Sequence, residues 1–169
     1  MRIILATGIF SPDIGGPATY TEKLAKAFID KGIETQIICC SDVKKYGNYN
    51  FSVVRISRKI PKILRHLLYF LKLFKIAKKN DIIYAQNSVT VGFPAMSVSK
   101  VLNTKFVLKI VGDSAWEWGM NKRKIKENLE NFQNKKYGQR IEFLRKVQKY
   151  VAKNADEICS KLLFKGNNH

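Results

Sequence analysis

Six short, almost unbroken apolar runs, separated by longer segments of helical spacing, constrain this chain more than any other feature. Arg2 to Thr7, Glu34 to Cys40, Phe51 to Ile56, Asp81 to Ala85, Lys105 to Val111 and a short run beginning at Asp156 to Cys159 read as strands. Ala18 to Lys31, Pro61 to Lys79, Thr90 to Leu102 and Tyr137 to Lys153 read as helices, with Gly32 placed as a C-terminal cap. Between Val111 and Tyr137 no helix is assigned, and Asn121 to Lys136 reads as a polar stretch. Strands that are apolar throughout and alternate with helices demand a parallel sheet covered on both faces. Right-handed crossovers then make the fold α/β, a doubly wound, mostly parallel, Rossmann-like sheet. A single domain over residues 1–169 is expected, with Lys161 to His169 looking like an interrupted further helix.

Composition excludes several classes. No apolar run reaches the roughly 18–20 residues that cross a bilayer. Met1 to Phe10 lacks the cleavage site of a secretory signal, so a cytoplasmic protein is expected. Three cysteines (Cys39, Cys40, Cys159) fit no metal spacing, and their odd number argues against a disulfide framework. The expectation is no metal and no cofactor.

Charge points to an anionic partner. Thirty-one Lys and Arg against thirteen Asp and Glu leave a net +18. Eleven of the cations fall between Val43 and Asn80, where there is no acidic residue. Nucleic acid, an anionic membrane surface and phosphorylated substrates all fit such an excess.

The loop after the first strand, Gly8-Ile9-Phe10-Ser11-Pro12-Asp13-Ile14-Gly15-Gly16-Pro17, leaves the sheet where open parallel folds bind ligands. Gly15 and Gly16 permit close backbone approach, and the helix behind them offers free N–H groups to an anion. A tight ligand-free turn fits the same residues. The loop is neither GxGxxG nor a P-loop.

This loop, with Leu24-Ala25 and Lys31-Gly32-Ile33-Glu34-Thr35 after it, resembles the opening of family-4 glycosyltransferases of the GT-B fold. Ile33 stands where those enzymes usually have His. Asp81-Ile82-Ile83-Tyr84-Ala85-Gln86-Asn87 resembles their Asp-Val-Val-His-Ala-His segment. Lys109-Ile110-Val111-Gly112-Asp113-Ser114-Ala115-Trp116-Glu117 is similar to a Gly-Asp-x-Ala-Trp-Glu version in bacterial members.

The resemblance implies the single N-terminal, acceptor-side domain of a two-domain, retaining enzyme, with the C-terminal donor domain absent from these residues. Such a domain would transfer a sugar from a nucleotide-sugar donor to a lipid-linked or polysaccharide acceptor only when joined to its donor half, and would be inactive alone. By the same resemblance, Gly15 and Gly16 would meet the donor's phosphate or sugar. Gln86, Asn87, Trp116 and Glu117 would line the acceptor cleft. Asp113 stands where relatives carry a catalytic His and is the candidate catalytic carboxylate, with a cap as its alternative.

Along Ile60 to Lys79, Ile60, Ile63, Leu64, Leu67, Leu68, Leu71 and Phe74 share one helical face, which reads as the core face. Lys62, Arg65, Lys72 and Lys75, interrupted by Tyr69, Leu73 and Ile76, would then face an anionic lipid surface, giving a peripheral protein at the inner face of the membrane. A plain crossover helix fits too, and His66 reads as structural. Two other functions remain open. One is a basic nucleic-acid-binding module using Lys122, Arg123, Lys124 and Lys126. The other is a non-catalytic subunit that recruits a separate donor-domain chain to a membrane.

Overall fold

The computed structural model describes residues 1–44 and 46–160. The run Lys161 to His169, expected as a further helix, lies outside them. Six strands, β1 (Arg2–Ala6), β2 (Glu34–Cys40), β3 (Ser52–Ile56), β4 (Ile82–Ala85), β5 (Lys105–Ile110) and β6 (Glu157–Ser160), form one sheet. Their order is β3-β2-β1-β4-β5-β6 and every pairing is parallel. The chain winds outward from β1 to β3, crosses back to β4 and winds out the other way. The switch point therefore lies between β1 and β4. The doubly wound α/β fold read from the sequence is the observed one.

Side chains alternate across each strand, so the sheet has two cores. On one face α2 (Lys62–Ile76), α3 (Gly92–Leu102) and α6 (Gln139–Lys153) cover Ile4, Ala6, Ile38, Ile83, Phe106 and Leu108. On the other, α1 (Gly16–Asp30) and the aromatic loop residues Tyr49 and Phe51 cover Ile3, Leu5, Ile37 and Cys39. Tyr69 pins α2 in place: its buried hydroxyl donates toward the carbonyls of Ile38 (2.9 Å) and Thr7 (3.3 Å). At the amino edge, Arg2 donates to both carboxylate oxygens of the buried Asp81, at 2.6 and 3.2 Å.

Two expectations are corrected. Two helices occupy the segment left unassigned, α4 (Ser114–Arg123) and α5 (Leu129–Gln133). The apolar residues of α4 are spread around its axis, so no stripe betrays it. Beneath these helices Ala115, Phe132 and Ile141 form a satellite core.

The second correction turns α2 around. Tyr69 and Leu73 are the buried residues, with Ile76 half-buried beside them. Of the stripe expected to face the core, Ile63, Leu64, Leu67, Leu71 and Phe74 face solvent, with Ile63 88% and Leu67 52% exposed, while Ile60 and Leu68 pack half-buried against the core as expected. The helix has two apolar faces, and the sheet takes the one whose Tyr69 hydroxyl can satisfy the strand-end carbonyls.

Candidate functional site

A cleft of about 830 Å³ opens at the carboxyl edge of β1, β4, β5 and β6. Its walls come from four chain segments: Gly16, Pro17 and Tyr20 of α1; Tyr84, Gln86, Asn87 and Ser88; Lys109 to Gly112, Ser114 and Glu117; and Cys159 and Ser160. Three segments singled out in the sequence thus meet at the switch point.

Each wall is held by its own chemistry. Gly15 is the N-cap of α1 and supplies no side-chain cap; Pro17 occupies the first turn, where a missing N–H is harmless. A Cβ on Gly15 would come within 2.8 Å of the Ile9 terminal methyl, whereas one on Gly16 would meet nothing within 4 Å. Packing therefore does not require glycine at position 16, and the backbone there stands open to the cleft. Buried Gln86 latches β4 to α1: its Nε2 donates to the Thr21 hydroxyl (2.6 Å), which donates to the Pro17 carbonyl (2.6 Å). Its Oε1 has no partner among the described residues.

Asn87 works mainly for its own loop. Its Oδ1 accepts from the N–H groups of Val89 (2.8 Å) and Thr90 (2.7 Å), and its Nδ2 donates to the Ser114 hydroxyl (3.3 Å). Gly92 is needed just beyond, because a Cβ there would collide with the Asn87 carbonyl oxygen.

Asp113 is the N-cap of α4. Its Oδ1 accepts from Ala115 N (2.8 Å), Trp116 N (3.0 Å) and Gln148 Nε2 (3.2 Å), so these contacts place the helix start and tie it to α6. The carboxylate that lines the cleft is Glu117, exposed in the first turn of α4 and set so close to Gly112 that a Cβ there would collide with its Oε1. Trp116, expected in the acceptor cleft, turns away from it. Its ring packs on the satellite core and its Nε1 donates to the Glu127 carbonyl (3.0 Å). A large indole with a single donor goes where both requirements are met.

Among the cleft residues that sequence reasoning missed are Tyr20, Tyr84 and Lys109. Lys109 Nζ sits 2.9 Å from the centroid of the Tyr20 ring, and the Tyr20 and Tyr84 hydroxyls are 3.1 Å apart. Burial and the Tyr20 contact push the Tyr84 phenol well above its usual range, so it stays protonated as a hydrogen-bonding group. The available signal was parity. Phe106 and Leu108 are buried on one face of β5, which puts Val107 and Lys109 on the other.

The basic residues of α2 divide in two. Arg65 donates to the Arg58 carbonyl (2.8 Å) and Lys72 to the Arg55 carbonyl (3.1 Å), fastening the helix to the β3 end. Lys62 and Lys75 are exposed, Lys75 beside the outward apolar stripe and Lys62 at the helix start. Lys122, Arg123, Lys124 and Lys126 are exposed at the end of α4 and in the loop after it. Among the described residues no helix is long and apolar enough to cross a membrane.

No family model and no curated protein matches the chain. Among solved structures, one similar chain is an alpha-glucosyltransferase in complex with UDP and a 13-mer DNA containing a central A:G mismatch. The likeness covers 95% of this chain at 15% identity and a TM-score of 0.45. The chain spans 37% of that glucosyltransferase's length, and a likeness this distant carries no argument about activity.

Proposed function

We propose that the chain is the acceptor-side domain of a retaining glycosyltransferase, moving a sugar from a nucleotide-sugar donor to a lipid-linked or polysaccharide acceptor once joined to a donor domain. One observation carries the reading: Gly16, Gln86, Asn87, Gly112 and Glu117, which belong to the segments resembling such enzymes, line one cleft at the switch point of the sheet. Glu117, whose carboxylate faces the cleft, accepts a hydrogen bond from the acceptor hydroxyl, and Gln86 Oε1 accepts a second. Asp113 positions α4, and with it Glu117. The open backbone at Gly16 and the first turn of α1 meet a phosphate of the donor. Transfer needs donor carbon and acceptor hydroxyl held in near-attack geometry, worth up to roughly 7–11 kcal/mol, so the chain alone does not turn over.

The outward stripe of α2 adds a location. Ile63, Leu64, Leu67, Leu71 and Phe74, with exposed Lys75 beside them and exposed Lys78 and Lys79 just past the helix end, suit shallow insertion into an anionic bilayer surface. The domain then works peripherally at the cytoplasmic face, where a lipid-linked acceptor is presented.

Calorimetry with UDP- and GDP-sugars tests the domain argument. Binding weaker than about millimolar and no turnover are expected of the purified chain; micromolar affinity or unaided turnover would overturn it. A salt titration against duplex DNA and phosphatidylglycerol vesicles separates the readings. Stronger retention on DNA would favour the nucleic-acid module.

A further inference from the structure

Building on the acceptor-cleft reading above, we infer that Lys109 determines specificity in this cleft and that the acceptor it selects carries an anionic oxygen, on a phosphate or a carboxylate, beside its sugar. Lys109 is the fifth of six residues in β5 and shares its sheet face with Val107, while Phe106 and Leu108 point into the opposite core. A parallel strand calls for hydrocarbon at such a position, and a lysine there needs a reason.

The ammonium is held rather than free. It lies over the Tyr20 ring, and the Tyr20 hydroxyl meets that of Tyr84, so two aromatic groups fix where the charge sits. The ring face attracts the cation but offers no hydrogen-bond acceptor to its three N–H groups. Among the described residues no carboxylate lies within ion-pairing distance of Lys109, and no oxygen accepts from it.

Tyr20, Tyr84, Cys159 and Glu117 line the same cleft, Tyr20 under the ammonium and Cys159 as the register partner of Lys109 on β6. Glu117 and Lys109 line the same cleft without pairing. The cleft is thus bipolar, with a preset cation in one part and a carboxylate in another. A ligand that satisfies both places an oxyanion at Lys109 and a hydroxyl at Glu117. The volume of about 830 Å³ holds a sugar together with such a substituent.

Ligand-observed NMR titrations on the full chain test this with three probes: methyl glucoside, glucuronate and glucose 6-phosphate. The proteins are the natural chain, Lys109→Met and Lys109→Arg, with melting curves to establish that each folds. At least one anionic sugar should bind about tenfold or more tightly than methyl glucoside, and the two anionic arms tell carboxylate from phosphate. The preference should vanish in Lys109→Met, leaving the neutral glycoside unchanged, and persist in Lys109→Arg. Equal affinities for all three probes, a preference that survives Lys109→Met, or no binding at all would overturn the inference. Neutral glycoside bound without a charge preference would remove Lys109 from its role and leave the acceptor-domain reading standing. If inorganic phosphate, titrated as a control beside the three sugars, bound as tightly as glucose 6-phosphate, in a Lys109-dependent way and with no glycoside binding, the anion role would hold and the acceptor reading would fall.

Discussion

The two faces of this sheet are finished to different standards. On one, α2, α3 and α6 lie over strand residues that are hydrocarbon from β2 to β5: Ile38, Ile4, Ile83, Phe106 and Leu108. On the other, α1 covers β1 and β2, and toward β6 the same alternating positions carry Tyr84, Lys109 and Cys159 beside a cleft. Burial on both sides leaves a strand no choice but apolar side chains; where one side opens, hydroxyls and an ammonium become affordable. Chemistry has settled where packing makes no demand.

The largest expected effect lies on the covered face. Phe106→Ala should lose roughly 3–5 kcal/mol in denaturant unfolding, because the fully buried ring leaves a cavity its neighbours cannot fill. A loss below about 1 kcal/mol would mean this face is packed more loosely than described. Asp81→Ala should come next, at about 3 kcal/mol, since it strands Arg2 without its buried partner. Tyr84→Phe on the open face should remove only about 1 kcal/mol, the worth of one hydrogen bond to Tyr20.

The pH dependence should be smaller and assignable. Burial, with Arg65 adding to it, holds the half-buried His66 imidazole below its usual 6.5. The unfolded chain therefore takes up a proton that the folded chain refuses. Stability is fully present above about pH 6.5 and declines as pH falls through the lower folded value. His66→Gln should flatten that decline in melting temperature; an unchanged slope would assign it elsewhere.

The smallest effect on stability is expected on the outward stripe of α2. Leu67→Ser should change unfolding by no more than about 0.5 kcal/mol, because the side chain is half exposed. It should nevertheless reduce flotation with phosphatidylglycerol vesicles, as should Lys62→Glu with Lys75→Glu. Undiminished flotation would detach α2 from any membrane role.

The strands were legible in the sequence because a parallel sheet leaves a strong compositional trace; Glu34–Cys40 matches to the residue. The other strands and the four assigned helices differ by one to three residues at their ends, most at α2, which stops at Ile76 and not at Lys79; there fraying and capping outweigh periodicity. The loops after β1, β4 and β5 were legible as glycine- and Asx-bearing segments at strand ends. What remained hidden depends on competition between faces. The spacing of α2 shows two apolar stripes and cannot say which one the strand-end carbonyls of Thr7 and Ile38 will claim through Tyr69. Trp116 looked like a cleft aromatic, but the satellite core that holds it is assembled from Phe132 and Ile141, residues distant in sequence. Lys109 was visible only by counting parity along β5 from Phe106.

The cleft between α1, β4 and β5 is the proposed seat of the acceptor sugar. Two-dimensional amide NMR of the labelled chain, titrated with glucose 6-phosphate and with methyl glucoside, examines that most directly. Shifts should concentrate at Gly16, Gln86, Asn87, Gly112 and Glu117, with Lys109 and Tyr20 added for the phosphorylated sugar. Shifts confined to the end of α4 around Lys122 to Lys126, or to the outer face of α2, would contradict the assignment of this cleft.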